Sequence, residues 1–285
     1  MNYYKKIKTI YREDDYVEYF GLTNILIKKK TMFRKYWNMK NYKRTYKFLF
    51  NNGLKYKTKS RTISLSLYGS TIGATRYPQF IIKNQYKILP RPYPLCKPGE
   101  KGWKILKLNW FVEFVRSIER ITIQYFETMY PDKNKSKTIL SLLQKSKKVI
   151  PLSCRIADTF FTHMGIIGNL NENGDHVSKH MDKEDLVTTL FHVGYPSNGG
   201  ETKYYTGLTS DSFGYVEKKI PCEHGRLTIG CFDKILHCGE SWSGIRGFIN
   251  FNLKKKILEH FSNYGDKYYN QFESNKFPSG PFFAC

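Results

Sequence analysis

Apolar and polar residues alternate differently in two parts of the chain. From Leu108 to Met129 the apolar positions recur at intervals of three and four (Trp110, Phe111, Phe114, Val115, Ile118, Ile121), and Pro131 follows as a stop. That spacing predicts a long helix with one buried face. A second helix is expected over residues 138–148, "TILSLLQKSKK", and a last one over 254–265, "KKKILEHFSNYG". Past residue 150 the texture changes to short β-rich runs broken by glycine and asparagine: "FFTHMGIIGNLNENGD", "LVTTLFHVGYPSNGGETKYY", "GRLTIGCFDKILHCGE" and "GIRGFINFNL". Short strands with regular turn signals predict a sandwich or barrel. Nearer the start, "RTISLSLYGS" (61–70) alternates as a strand does, and "LPRPYPLCKPGEKG" (89–102) reads as a connection rich in proline and glycine. The stretch "FRKYWNMKNYKRTYKF" (33–48) interleaves cations with aromatic rings. A groove for single-stranded nucleic acid uses that mixture, cations for phosphates and rings for bases. An amphipathic helix, with its rings in the core and its lysines in water, is the simpler reading.

A chain of 285 residues accommodates one large domain, or one domain with an N-terminal extension. Aromatic residues make up 16% of it, enough to build a core. The formal charge of +23 is unevenly placed: residues 1–150 hold 33 Lys+Arg against 9 Asp+Glu, whereas residues 151–285 hold 14 against 15. An excess confined to one half fits a basic surface for an anionic partner, the alternative being solvated lysines of no particular purpose. The expected organisation is therefore a basic, aromatic-rich N-terminal region, 1–105, packed on a β-domain with supporting helices, 106–285, because no flexible linker divides them. No run approaches the roughly 18 apolar residues of a membrane span, and "MNYYKKIKTIYREDD" lacks the apolar centre of a signal peptide. The expected setting is intracellular, cytoplasmic or nuclear, with no membrane partner. The six cysteines have no CxxC pair and fit reduced thiols.

The chemistry centres on "SKHMDKED" (178–185). In an extended segment His180 and Asp182 share a face and Met181 points away, so one imidazole and one carboxylate can hold the same ion. A His-x-Asp pair arises often by chance, and a third ligand is needed. His237 supplies one, at the end of an apolar run 55 residues past Asp182. Two histidines and a carboxylate on one face of a metal leave open positions, the arrangement that suits non-haem Fe(II) oxygenases. Nine residues further, alternation in "IRGFINFNL" puts Arg246, Phe248 and Asn250 on one face and Ile245, Ile249 and Phe251 on the other. An arginine aimed into a β-pocket requires an anion, and a dicarboxylate cosubstrate provides one through a bidentate clamp.

The ordered set of His180-x-Asp182, "GGET" (199–202), Gly225 before an apolar strand, His237 and Arg246 resembles the double-stranded β-helix oxygenases dependent on Fe(II) and 2-oxoglutarate. "GGET" and "LHCGE" are most similar to the prolyl-4-hydroxylase-like branch, and the resemblance covers roughly residues 160–255. It implies an α+β fold whose mainly β catalytic core is a double-stranded β-helix, of jelly-roll or cupin-like form, supported by N-terminal helices. It further implies that His180, Asp182 and His237 ligate Fe(II). Arg246 would bind the distal carboxylate of 2-oxoglutarate, with Thr202 beside it. O2 would be the oxidant, ascorbate a further reductant, and 2-oxoglutarate would be split to succinate and carbon dioxide as a substrate C–H bond is hydroxylated. Two features depart from the branch: "NENGDHVSKH" offers no tyrosine before the His-x-Asp, and arginine stands where prolyl hydroxylases frequently carry lysine. The substrate class therefore does not carry over.

The basic first half fits a nucleic-acid base, flipped out of any duplex, and the GGET-type pattern fits a protein side chain such as proline. A small-molecule substrate ranks third. The competing reading is a non-catalytic, basic β-helix module that binds nucleic acid, against which stand four pocket-facing groups that mere binding does not need. A cupin-like zinc hydrolase is a further alternative that leaves Arg246 without a role. Other residues read as structural. His192 is a core histidine; His176 lies four residues before His180 in an unsuitable glycine-rich approach. Cys222, His224 and Cys238 lack a regular zinc spacing. Trp242 either walls the pocket or simply packs, and "YPSNGG" (195–200) is a turn.

Overall fold

The computed structural model describes residues 16–19, 22–26, 36, 40–52, 54–57, 63–71, 81–84, 87–90, 93–94, 108–130, 132–169, 176–208 and 215–264. Much of the expected connection at 89–102, together with Cys96 and Cys285, lies outside them. The first part of the chain contributes strands β1 (Tyr16–Tyr19) and β2 (Leu22–Leu26), helix α1 (Tyr42–Asn52), and strands β3 (Leu54–Lys57), β4 (Ile63–Thr71), β5 (Ile81–Asn84), β6 (Lys87–Pro90) and β7 (Tyr93–Pro94). Two helices follow, α2 (Asn109–Gln124), prolonged by a π-helical turn at Tyr125–Met129, and α3 (Lys133–Val149). The remainder is β8 (His163–Asn169), β9 (Val177–His180), β10 (Asp185–Val193), β11 (Pro196–Gly199), β12 (Thr202–Leu208), β13 (Tyr215–Ile220), β14 (Arg226–Gly230), β15 (Leu236–Gly239), β16 (Trp242–Gly244), β17 (Arg246–Lys254) and helix α4 (Lys255–Tyr264).

These strands form antiparallel sheets in a mixed helix-and-sheet architecture. The larger sheet runs β1-β2-β14-β10-β17-β8-β4-β3, with β7 on β4; a smaller one runs β13-β12-β15-β9. From β8 onward the chain passes repeatedly between the two sheets, so strands distant in sequence become neighbours. The first hundred residues reach both edges of the larger sheet, where β2 pairs with β14 and β4 with β8.

Side-chain alternation divides β10 and β17 into two faces. On one face Val187, Phe191, Val193, Ile249, Phe251 and Leu253 join the buried core beneath the helices. The helix expected from the 108–129 periodicity is α2 and its π turn, and Phe114 crosses edge-to-face onto Phe191 at 5.3 Å and Phe251 at 5.9 Å. Its first turn has no side-chain cap, so packing of this apolar stripe is what holds it. Helix α3 begins five residues before the expected 138, because Asp132 caps it by accepting from the Asn134 and Lys135 amides, each at 3.0 Å. Of the mixed stretch at 33–48, residues 33–35 and 37–39 lie outside the described residues, and 42–48 form the amphipathic start of α1: Tyr42 and Tyr46 are buried, while Lys43, Arg44 and Lys47 are exposed.

The opposite face of β10 and β17 carries Thr188, His192, Arg246, Phe248 and Asn250 and turns toward the interior. The segment 196–199, read above as part of a turn, forms a short strand instead. It finds a partner in Trp242–Gly244, which no local turn signal could reveal. Among the described residues Cys154, Cys222, Cys231 and Cys238 take part in no disulfide. Among the described residues no helix is long and apolar enough to cross a membrane.

Candidate metal and anion site

β9 and β15 are adjacent, and their register places His180 directly opposite His237. The imidazole centroids lie 4.3 Å apart. Asp182 follows β9 by two residues; its amide donates to the Phe232 carbonyl at 3.1 Å, and its own carbonyl accepts from the Asp185 amide at 2.8 Å, so the turn after β9 is held at both ends. The Asp182 carboxylate meets His180 Nε2 at 3.7 Å through one oxygen and His237 Nε2 at 3.6 Å through the other. One ligand atom from each of the three residues falls within 4.8 Å of the others, and among the described residues this is the one such cluster of His, Cys, Asp and Glu side chains. Met181 is exposed and points away, as the alternation requires.

Both histidines are oriented in the same way. His180 Nδ1 lies 2.7 Å from the Ser178 carbonyl and His237 Nδ1 lies 2.9 Å from the Ile235 carbonyl. A carbonyl only accepts, so each Nδ1 carries the proton and each Nε2 presents a lone pair toward Asp182. Backbone hydrogen bonds of this kind fix the tautomer and ring angle of metal-ligating histidines. Burial pushes His237 below the usual imidazole range, helped by neighbouring His180 and opposed by the Ile235 carbonyl and Asp182. The neutral form, the one that ligates, is thus favoured. His180 and Asp182 are partly exposed, with 40% and 34% of their side chains accessible, whereas His237 is at 9%. The cluster therefore has one open side.

Arg246 opens β17 and is 3% exposed. Its Nε donates to the Gly200 carbonyl at 2.7 Å, and its guanidinium carbon lies 4.6 Å from the Trp242 ring centroid and 4.5 Å from that of Phe248. The two rings hold the planar cation by stacking. No carboxylate pairs with it among the described residues, and burial lowers its pKa. Gly200 has φ +83°, and a Cβ there would lie 2.9 Å from Arg246 Cδ. The second glycine of "GGET" is therefore required both by the backbone and by the arginine.

Thr202 sits two residues further on β12, buried, opposite Gly239 of β15, whose own Cβ would lie 3.4 Å from an Arg246 terminal nitrogen. The site residues expected from the sequence thus gather in one interior. Tyr204 was not among them. On the same face of β12 as Thr202, it stands opposite His237, with its ring 5.9 Å from the imidazole, and it is within electrostatic reach of both Arg246 and Asp182. Its hydroxyl is buried beside Thr202 without a partner of hydrogen-bond geometry. The alternation in "GGETKYY" was the signal that would have found it. Trp242, left open between wall and packing, lies against Arg246, and its Nε1 is also unpaired. Thr188 Oγ1 and Asn250 Oδ1 add two further buried polar atoms without partners. Native interiors seldom leave such groups unsatisfied.

The other candidates behave structurally. His192 is fully buried and its Nε2 lies 2.9 Å from Thr228 Oγ1, although its Nδ1 has no partner. His176 is exposed ahead of β9, not on a helix. Cys238 contacts the Tyr205 hydroxyl at 3.6 Å, while Cys222 lies by Arg246 and burial pushes its thiol up to about 11.

No protein-family model matches the sequence, and no curated protein does. Among solved structures the chain is similar to an oxidoreductase of the 2OG-Fe(II) oxygenase family from Burkholderia pseudomallei, at 10% identity and a TM-score of 0.43, over 88% of this chain and 89% of that one. It is also similar to NgTET1 in complex with 5mC DNA, at 12% identity and a TM-score of 0.46, over 82% and 71%. A third is a prolyl-4-hydroxylase from Pseudomonas putida, at 14% identity and a TM-score of 0.26, over 32% and 47%. The chain spans about half the length of that prolyl hydroxylase.

Proposed function

We propose that this protein is a double-stranded β-helix dioxygenase, dependent on Fe(II) and 2-oxoglutarate, that hydroxylates a C–H bond of a macromolecular substrate and releases succinate and carbon dioxide. The observation that carries the reading is the convergence of His180 Nε2, His237 Nε2 and the Asp182 carboxylate in an interior that also holds a buried Arg246 with no paired carboxylate among the described residues. The passage of the chain between two antiparallel sheets, from β8 to β17, supports the double-stranded β-helix. Residues 106–285 carry the site, and pairing of β2 and β4 with the edges of the larger sheet supports residues 1–105 as packed on it.

The residues fit the metal and the cosubstrate on their own chemistry. His180, Asp182 and His237 would hold Fe(II), two neutral nitrogens and one carboxylate suiting a divalent ion that keeps open positions. Arg246 would bind the far carboxylate of 2-oxoglutarate with the edge of its guanidinium that Gly200 does not occupy. The unpaired Tyr204 hydroxyl is a donor for the same anion, and Thr202 is a second contact. Bound together, iron, 2-oxoglutarate and O2 supply an oxidative hydroxylation coupled to decarboxylation of the cosubstrate. The chain's part is to fix both imidazoles through the Ser178 and Ile235 carbonyls, to exclude water with Trp242 and Phe248, and to leave the His180–Asp182 side open for a substrate. Ascorbate finds no support among the described residues.

A purely binding module has no use for a stacked, buried arginine that meets no counter-ion among the described residues, since such a charge costs several kcal/mol unless a ligand offsets it. Succinate release, measured with Fe(II) and 2-oxoglutarate across oligonucleotide and peptide panels, tests the proposal. Turnover stimulated by one panel and lost in His237→Ala is expected; no succinate with any substrate, or equal release by the variant, would refute it.

A further inference from the structure

We infer that the outer face of α3 is a binding surface for the phosphate backbone of a nucleic acid, built on Lys137, Lys145 and Lys148. Helix α3 holds six lysines and no acidic residue in 17 positions. Three of them are engaged locally: Lys133 donates to the Thr128 carbonyl at 3.1 Å, Lys135 pairs with Asp132 at 3.3 Å, and Lys147 pairs with Glu119 at 3.5 Å. Lys137, Lys145 and Lys148 are exposed, and among the described residues none has an ion-pair partner. At 100° and 1.5 Å per residue they fall within an arc of about 80° and span roughly 16 Å along the axis. Amphipathicity requires a polar outer face, but not one of a single sign. Interspersed Glu would stabilise the helix through i,i+4 pairs, and its complete absence leaves the repulsion unrelieved. A row of three unneutralised cations over that length complements successive phosphates of one strand.

Its position gives the surface a use. The inner side of α3, through Ile139 and Leu142, lines a cleft of about 310 Å³ together with Cys231, Asp233 and Ile235. The turn at 231–235 is the one whose Phe232 carbonyl accepts from the Asp182 amide and whose Ile235 carbonyl accepts from His237. Lys183, just after Asp182, and Lys234, in that turn, are exposed and likewise outside any ion pair among the described residues. The 231–235 turn thus joins the cleft beneath α3 to the segment that carries Asp182 and His237. That the bound chain is the substrate rests on the oxygenase reading; that α3 binds it does not.

Fluorescence anisotropy of a labelled duplex DNA oligonucleotide, titrated with the metal-free protein at several salt concentrations, tests the surface separately from the chemistry. Each phosphate contact contributes about −0.9 to the slope of log K against log salt. The triple variant Lys137→Gln, Lys145→Gln, Lys148→Gln should make the slope shallower by about 2.7 and weaken binding on the order of 100-fold at 0.15 M salt, with an unchanged circular dichroism spectrum. A matched variant of α1, Lys43→Gln, Arg44→Gln, Lys47→Gln, serves as the charge control and should change both far less. An unchanged slope in the α3 variant, an equal loss in the α1 control, or α3-dependent binding to phosphatidylserine vesicles without binding to the oligonucleotide would each overturn the inference. Because no iron or 2-oxoglutarate is present, none of these outcomes can be confused with failure of the oxygenase reading.

Discussion

Replacing Arg246 with glutamine is the most informative single change. The wild-type guanidinium spends its Nε on the Gly200 carbonyl, is clamped between Trp242 and Phe248 and has the Cys222 thiol beside it, so its terminal nitrogens face no carboxylate among the described residues and can take an anion. Two hydrogen bonds from a charged donor to a carboxylate are worth roughly 1.5–3 kcal/mol each, and a glutamine in the same place restores about 1 kcal/mol with its neutral amide. The net loss is about 3 kcal/mol, which corresponds to more than 100-fold in the dissociation constant of 2-oxoglutarate. The metal ligands are not touched, so metal affinity should hold. Isothermal titration calorimetry with Mn(II) in place of Fe(II) separates the two: metal is titrated first, then 2-oxoglutarate. A folded, metal-binding Arg246→Gln protein whose 2-oxoglutarate affinity stays within threefold of wild type would refute the assignment of Arg246 to the cosubstrate.

Three other outcomes follow from the same interior. Gly200→Ala forces a side chain into φ +83° and against Arg246 Cδ, so it should lower stability by about 1–2 kcal/mol in urea titrations and weaken 2-oxoglutarate binding without affecting metal. Phe114→Ala removes the ring that bridges Phe191 and Phe251 and should cost about 3–5 kcal/mol, read as a lower urea midpoint. Burial holds His163 and His192 well below the usual imidazole value of 6.5, with nearby Lys254 and Arg246 respectively adding to it. The unfolded chain then binds more protons than the folded one below pH 6.5, so stability falls as the pH drops through that value. The unfolded imidazole is half-protonated at pH 6.5, so each histidine contributes about 1 kcal/mol over the next pH unit, and chemical denaturation at pH 6.5 and 5.5 should differ by about 2 kcal/mol from these two groups. Equal stability at both values would contradict their neutral burial.

The three candidate metal ligands could be picked out because each lies on a strand or at its end, where a period of two decides the face. His180 and Asp182 obey it across the end of β9, and Arg246 obeys it along β17. The pairing that makes them a site was not legible. His180 meets His237 because β9 and β15 are neighbours, an adjacency that depends on sheet order and register over more than fifty residues. For the same reason Tyr204 was overlooked: its face could be read from Thr202, but its position opposite His237 could not. The lysine-rich opening of α3 carries no apolar periodicity, and only Asp132, as a cap, signalled that the helix begins there. The segment "YPSNGG" shows the reverse error. Its glycines do adopt positive φ, yet Pro196–Gly199 pairs with Trp242–Gly244, because that partner lies nearly fifty residues downstream and no local rule anticipates it. In α1 the amphipathic pattern outweighed the stacking reading, since Tyr42 and Tyr46 gain more from the core than from an open groove.

The central claim is that His180, Asp182 and His237 hold an iron beside which Arg246 seats 2-oxoglutarate. Anaerobic addition of Fe(II) and 2-oxoglutarate, followed by visible absorption, tests it most directly. The wild-type protein should give a weak charge-transfer band that requires both additions and is absent from His180→Ala; no band, or the same band in the variant, would contradict the claim.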